Sequence, residues 1–164
     1  MQYCFDNIII DIDGILKDLD ARTINVFKES IIKLILCGET NNFKINMVST
    51  NADAKKLLME NVANDIDSKI SLKLFSNENF ENNWDLWRVE NNMNKKNTLL
   101  FITSNEIIDL LKNNQLYSVF IDSHVHNLDV EKIVSKTSFK KPVELYMMTD
   151  EIPNILFKFD CFLD

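Results

Sequence analysis

The sequence predicts an α/β protein with a mostly parallel central sheet, and three observations lead to this prediction. Short runs rich in Ile, Val, Leu and Phe recur along the chain and have the length of buried strands. Longer segments of helical periodicity lie between them, which is typical of strands joined by crossover helices. With 164 residues, 46% of them hydrophobic and 26% charged, the chain has the size and composition of a single globular domain over residues 1–164.

The first third of the chain predicts two strands and two helices. The run NIIID at 7–11 predicts a buried strand, and apolar residues at helical spacing predict a helix over 20–37. Gly38 follows that helix, where a C-cap favours glycine. A second strand is predicted over 43–48, and STNA then has the composition of a turn and cap leading into a helix over 52–63.

The middle of the chain continues the alternation. KISLKLF at 69–75 predicts a strand, and the next segment predicts a helix over 80–92. In that helix Trp84, Trp87 and Leu86 are the residues expected to face the core, and we interpret the two Trp residues as core anchors rather than as base-stacking groups.

The last part of the chain predicts four further strands. TLLFIT at 98–103 reads as a buried strand, and Thr103 with Glu106 has the spacing of a capping box that opens a helix over 104–114. YSVFI at 117–121 predicts the next strand. A short helix over 128–136, a strand over 143–148 and an alternating apolar tail that adds an edge strand complete the prediction.

Composition and charge argue against several classes of function. The formal net charge is −7, and no basic run exceeds NKKN or FKKP, so we expect no binding to duplex nucleic acid. Three Cys residues at wide, unpatterned spacing predict a reduced, cytoplasmic setting. The N-terminal sequence has no basic region and no long apolar run, so we expect neither a signal peptide nor a membrane span.

Candidate functional residues follow three of the predicted strands. In open α/β sheets, sites form at the carboxyl ends of the strands. The polar residues at these ends are Asp11 and Asp13, then Ser49, Thr50 and Asn51, and finally Asp122. Carboxylates from separate strands can hold Mg²⁺, which would let one carboxylate attack a phosphoryl group and a second transfer a proton. The purely structural alternatives are an Asp-Gly turn at 13–14 and a helix N-cap at STNA.

Three segments resemble motifs of the haloacid dehalogenase-like (HAD) superfamily, in the same order. IIIDIDGIL resembles its first motif, INMVSTN its second, and YSVFIDSHVHNL its fourth, as seen in 5′-nucleotidase-like members. The resemblance implies a three-layer Rossmann-like fold. It also implies no large cap domain, because the helix predicted over 20–37 fills most of the interval between the first two motifs.

The resemblance implies a Mg²⁺-dependent phosphatase acting on a phosphorylated small molecule, a nucleotide or a nucleic-acid phosphate. Asp11 would be the nucleophile that forms an aspartyl-phosphate, and Asp13 the general acid/base. Ser49 or Thr50, with nearby backbone N–H groups such as that of Asn51, would hold the phosphoryl oxygens.

The implied metal site combines three residues. Asp122 would complete the Mg²⁺ site together with the carboxylate of Asp11 and the backbone carbonyl of Asp13.

The sequence departs from the family pattern at two positions. Asn105 stands where the third motif has a Lys, for which Lys95, Lys96 and Lys112 are the candidate replacements, and Ser123 stands where a second Asp is common. These departures support an alternative, a catalytically degenerate HAD-like module that binds a protein partner. A nucleotide-binding regulator of another family has less support, because the chain has no Gly-rich phosphate loop.

Overall fold

The computed structural model describes residues 6–17, 43–61, 70–111, 116–122 and 144–147. Within these residues the chain forms six strands and four helices. The strands are β1 (Asn7–Asp11), β2 (Lys44–Ser49), β3 (Ile70–Leu74), β4 (Thr98–Ile102), β5 (Tyr117–Asp122) and β6 (Glu144–Met147), and the helices are α1 (Asp13–Leu16), α2 (Ala54–Asn61), α3 (Phe80–Glu90) and α4 (Asn105–Leu110). All strand pairs are parallel, which confirms the predicted α/β class.

Apart from α1, which no sequence pattern predicts, the described elements fall where the sequence patterns predict them. Each of the six strands predicted before residue 149 has a counterpart that begins and ends within one residue of its expected bounds. The helices predicted over 20–37 and 128–136 and the apolar tail after residue 148 lie outside the described residues. Across the part of the chain that is described, no helix has the length and hydropathy needed to cross a bilayer.

The strand order decides where a site can form. The order across the sheet is β3-β2-β1-β4-β5-β6, so the chain builds outward from β1 first in one direction and then in the other. The reversal therefore falls between β1 and β4. In parallel sheets the loops at the carboxyl ends of two such strands diverge and leave a crevice, and β1 delivers Asp11 to this point.

The two central strands are buried on both faces. All five residues of β1 and all five of β4 are buried, including Ile8, Ile9 and Ile10, which are fully inaccessible. Successive side chains of a strand point to opposite faces, so burial of every residue means that both faces are covered. This explains why β1 reads as a continuous apolar run rather than an alternating one.

Helix α3 packs on one face of the sheet through an aromatic cluster. The rings of Phe75, Phe80, Trp84 and Trp87 lie 5.3 to 5.9 Å apart between centroids. Trp84 is 2% exposed and belongs to the main core, which confirms its predicted role as an anchor. The expectation for Leu86 is wrong: its side chain is 59% exposed, because it lies on the outer side of the helix.

Candidate functional site

Asp11 ends the central strand in a fully buried position. Its side chain has no accessible surface. The Ile12 amide donates to the carbonyl of Val48 at 3.1 Å, which extends the β1–β2 pairing one residue beyond the strand. The chain then turns into α1, and the Asp13 amide donates to Oδ1 of Asp11 at 3.0 Å. This short turn holds the two carboxylates of the first motif close together.

Two residues after β4 hold the other oxygen of Asp11. Oδ2 accepts hydrogen bonds from the Thr103 amide at 3.0 Å, the Ser104 amide at 3.0 Å and the Ser104 hydroxyl at 2.9 Å. We call these three donors the Thr103–Ser104 clamp. Both residues are buried, so the clamp orients the Asp11 carboxylate in a site from which water is largely excluded.

The clamp was not predicted from the sequence. Thr103 was assigned only a capping role, and Ser104 had no assigned role. A signal was present, because polar residues follow β4 as they follow β1 and β2. These polar residues could be assigned to the site of Asp11 only once the structure showed that β4, and not β5, lies beside β1.

Gly14 lets the clamp approach the first motif. The Thr103 hydroxyl donates to the carbonyl of Asp11 at 2.7 Å and accepts from the Gly14 amide at 3.1 Å. A Cβ atom on Gly14 would lie 1.9 Å from the Thr103 carbonyl oxygen. No glycine in the described residues has a positive φ. Gly14 is therefore required here for lack of space rather than for a sharp turn.

The carboxylate of Asp13 is held by the residues that end β2. The Ser49 hydroxyl donates to Oδ1 of Asp13. The Thr50 amide lies 3.2 Å from Oδ1 and 3.1 Å from Oδ2, and the Thr50 hydroxyl donates to Oδ2 at 2.5 Å. We call these donors of Ser49 and Thr50 the oxyanion cradle, and in this structure the anion within it is Asp13.

Asn51 supports the oxyanion cradle from behind. Its amide donates to the hydroxyl oxygen of Ser49 at 3.0 Å, which leaves the Ser49 proton directed at Asp13. Its side-chain oxygen accepts from the Asp53 amide at 2.9 Å, in the turn that leads into α2. The side chain of Asn51 therefore stabilises the turn before α2, and its amide supports Ser49. Its contact with phosphate stays a prediction.

Asp122 lies further from Asp11 than the motif order alone implies. It ends β5, and β4 stands between β5 and β1. Two strand spacings place the backbones about 10 Å apart. Ile10 pairs with Phe101 and Phe101 with Val119, so Asp122 also lies beyond the level of Asp11, toward the carboxyl edge. Its role as a metal ligand stays a prediction.

The structure gives the positions of two of the three Lys residues that could replace the third-motif Lys. Lys95 and Lys96 precede β4, at the amino edge of the sheet, whereas Asp11 lies at the carboxyl edge. The five residues of β4 separate the two edges by about 17 Å, which is beyond the reach of a Lys side chain. Lys112 lies outside the described residues. Asn105, the residue that the sequence comparison aligned with the third-motif Lys, is the first residue of α4.

The electrostatics of Asp11 reflect its burial. Desolvation, followed by the negative charge of Asp13, raises the pKa of the Asp11 carboxyl from 3.8 to about 7. The hydrogen bonds from Asp13, Thr103 and Ser104 oppose this rise by stabilising the ionised form. Near neutral pH Asp11 is therefore poised between its protonated and ionised states, and a cation bound beside it would favour the ionised one.

The raised pKa predicts how stability depends on pH. Between pH 3.8 and about 7 the unfolded chain has lost the Asp11 proton while the folded chain retains it, so the folded state binds more protons. The free energy of unfolding should then fall as pH rises through this window, by up to about 4 kcal/mol, and level off above it. Urea unfolding in EDTA from pH 4 to 8, for the wild type and Asp11→Asn, measures this contribution as the difference between the two curves. Parallel curves would contradict it.

One carboxylate oxygen of this site accepts fewer hydrogen bonds than the other three. Among the described residues no group of three His, Cys, Asp or Glu side chains surrounds a common point. Both oxygens of Asp13 and Oδ2 of Asp11 each accept two or more hydrogen bonds, whereas Oδ1 of Asp11 accepts one. Mg²⁺ usually keeps several waters, whereas Asp11 is fully buried here, so the role of Asp11 as a Mg²⁺ ligand stays a prediction.

Comparison with known proteins does not assign a family. No protein-family model matches the sequence, and no curated protein matches it significantly. Interpretation of the site therefore depends on the three motifs and on the geometry described above.

Proposed function

We propose that this chain is a HAD-like phosphohydrolase that cleaves phosphate esters through an aspartyl-phosphate on Asp11. The observation that carries the proposal is that hydrogen-bond donors of Ser49 and Thr50 hold an anion two residues after Asp11. This arrangement lies where the strand order reverses, and it brings Asp11, Asp13 and the oxyanion cradle together, as the proposed reaction requires.

The observed topology supports the finer fold assignment within this proposal. The strand order 3-2-1-4-5-6 is that of doubly wound Rossmann-like sheets. Burial of β1 and β4 on both faces is what a three-layer arrangement requires. A three-layer fold without a large cap is therefore the architecture that we propose around the site.

The proposed reaction has two steps. Oδ1 of Asp11, which accepts from the Asp13 amide and is not held by the clamp, attacks phosphorus, and the ester P–O bond breaks while an Oδ1–P bond forms. Asp13, after it takes up a proton from solvent, gives that proton to the leaving oxygen. Asp13 then accepts a proton from water as that water attacks phosphorus, which breaks the Oδ1–P bond, releases inorganic phosphate and restores Asp11.

Mg²⁺, for which the Asp11 carboxylate, the Asp13 carbonyl and Asp122 are the predicted ligands, would supply positive charge beside the phosphoryl group. The chain's own residues orient the reacting groups. The clamp fixes the plane of the Asp11 carboxylate, and the cradle donates to the phosphoryl oxygens through the hydroxyl of Ser49 and the amide and hydroxyl of Thr50. The substrate is a phosphorylated small molecule or a nucleotide.

A catalytically degenerate binding or assembly module is the second candidate. Three observations favour it: Asp11 is fully buried, both oxygens of Asp13 are satisfied by protein donors, and Lys95 and Lys96 lie at the opposite edge of the sheet. Such a module would keep the fold and bind a protein partner without turnover.

Phosphate release separates the two candidates. The purified full chain is assayed with Mg²⁺ on p-nitrophenyl phosphate, nucleoside 5′-monophosphates and a 3′-phosphorylated oligonucleotide, and beryllofluoride binding is measured in parallel. The proposal expects Mg²⁺-dependent release from at least one ester and saturable beryllofluoride binding. Absence of both would overturn the phosphatase and leave the degenerate module.

A further inference from the structure

The oxyanion cradle already contains an anion that belongs to the protein. The Asp13 carboxylate accepts from the Ser49 hydroxyl, from the Thr50 amide through both oxygens, and from the Thr50 hydroxyl. Ser49 is fully buried and Asp13 is almost so, which means that little water competes for these donors. A single set of donors holds one anion at a time.

We infer that Asp13 is a built-in competitor of phosphate: its carboxylate fills the oxyanion cradle of the free protein and must rotate out before a phosphoryl group binds to Ser49 and Thr50. This inference rests on the proposed function, because it assigns the phosphoryl group to the same donors. The new element is that the Asp13 side chain must be displaced before the ligand can bind, whereas the motif alone implies an open site.

The cradle itself is built independently of its occupant. The Asn51 amide donates to the Ser49 oxygen, so the Ser49 proton points into the cradle whichever anion is there. The Thr50 amide follows β2 directly and is fixed by the strand. Removal of the Asp13 carboxylate therefore leaves a set of donors that favours an anion, since unpaired buried donors are costly.

Displacement of Asp13 needs only a rotation of its side chain. Its backbone is fixed on both sides, by the Asp13 amide on Oδ1 of Asp11 and by the Gly14 amide on Thr103. Rotation about χ1 to another staggered rotamer moves the carboxylate without breaking these two bonds. It also frees oxygens that are otherwise saturated by donors, so Asp13 becomes available for proton transfer only after the phosphoryl group has taken its place.

Binding of inorganic phosphate tests the inference. Isothermal titration of the full chain at pH 7 in EDTA compares the wild type with Asp13→Ala, which empties the cradle. We expect Asp13→Ala to bind phosphate at least about tenfold more tightly than the wild type does. The matched control is Asp11→Asn, which also removes a carboxylate from the site but leaves Asp13 in the cradle, and it should change the affinity much less.

Two results would overturn the inference. Equal tightening in Asp13→Ala and Asp11→Asn would show that repulsion between like charges, and not occupancy, limits binding. Phosphate binding by Asp13→Ala that is no tighter than that of the wild type would show that the cradle does not take phosphate. Adding Ser49→Ala to Asp13→Ala should abolish the gain. Asp13→Ser, which also removes the carboxylate but keeps a small polar side chain, replaces Asp13→Ala if that variant does not fold.

The outcome is distinguishable from failure of the proposed function. Turnover by the wild type together with equal tightening in the two variants would overturn the competitor role alone. Tightening specific to Asp13→Ala without any turnover would overturn the hydrolase alone, and leave a phosphate-binding cradle that Asp13 closes.

Discussion

Gly14→Ala is expected to destabilise the fold by about 4 kcal/mol or more, although the position is helical. On helix propensity alone, Ala in place of Gly would stabilise a helix by about 1 kcal/mol. Here the new Cβ would lie 1.9 Å from a backbone carbonyl oxygen, that of Thr103, which cannot rotate away as a side chain can. The loop after β4 would have to move, and with it the clamp on the buried Asp11 carboxylate.

Chemical denaturation measures this effect, and Lys17→Ala is its matched control. Lys17 follows α1 directly, and its exposed side chain forms an ion pair with Glu106. Loss of an exposed ion pair costs about 1 kcal/mol or less. A Gly14→Ala variant as stable as Lys17→Ala would show that the loop after β4 adjusts freely and that the two motifs are not rigidly joined.

Asp11→Asn is expected to lower phosphate release by about 10³-fold or more while the fold persists. A neutral amide cannot act as the carboxylate nucleophile. The carbonyl oxygen of the Asn side chain can still accept hydrogen bonds from Thr103 and Ser104. The substitution also removes the destabilising effect of a buried ionised carboxylate near pH 7. Steady-state assays of the full chain, with circular dichroism to verify folding, test this expectation.

Asp53→Asn is the control for loss of a negative charge without loss of the nucleophile. Asp53 is exposed in the turn after β2, and its contribution to that turn is its backbone amide. Its replacement should leave turnover unchanged. A wild-type rate of phosphate release in Asp11→Asn would contradict an aspartyl-phosphate on Asp11. An equal loss of rate in both variants would show that the negative charge, and not a nucleophile at Asp11, matters for turnover.

The strands and most helices could be predicted from the sequence because their signals are local. A continuous apolar run is sufficient to indicate β1, and helical spacing with two Trp residues is sufficient to indicate α3. The same reasoning was wrong for Leu86, because the periodicity of a short helix with several apolar residues does not decide which of them faces the sheet.

The candidate site could be predicted only in part. The sequence identified Asp11, Asp13 and Ser49 as residues of one site, and the contact between Asp13 and Ser49 agrees with that grouping. It did not identify Ser104, because the two polar residues after β4 resemble an ordinary helix cap. Whether the residues at the end of a strand contact Asp11 depends on the order of the strands in the sheet, and no local sequence pattern encodes that order.

The amino-acid sequence by itself determined the α/β class, the parallel sheet and the carboxylates at the end of β1, since each of these depends on apolar runs and on the residues that follow them. Only the tertiary structure decided that β4 lies beside β1 and that Thr103 and Ser104 hold Asp11. It also decided that Asp13 fills the cradle of Ser49 and Thr50. The physical reason is that these contacts join residues up to 93 positions apart, and hydrogen bonds over such separations form only when the sheet has set the order of its strands.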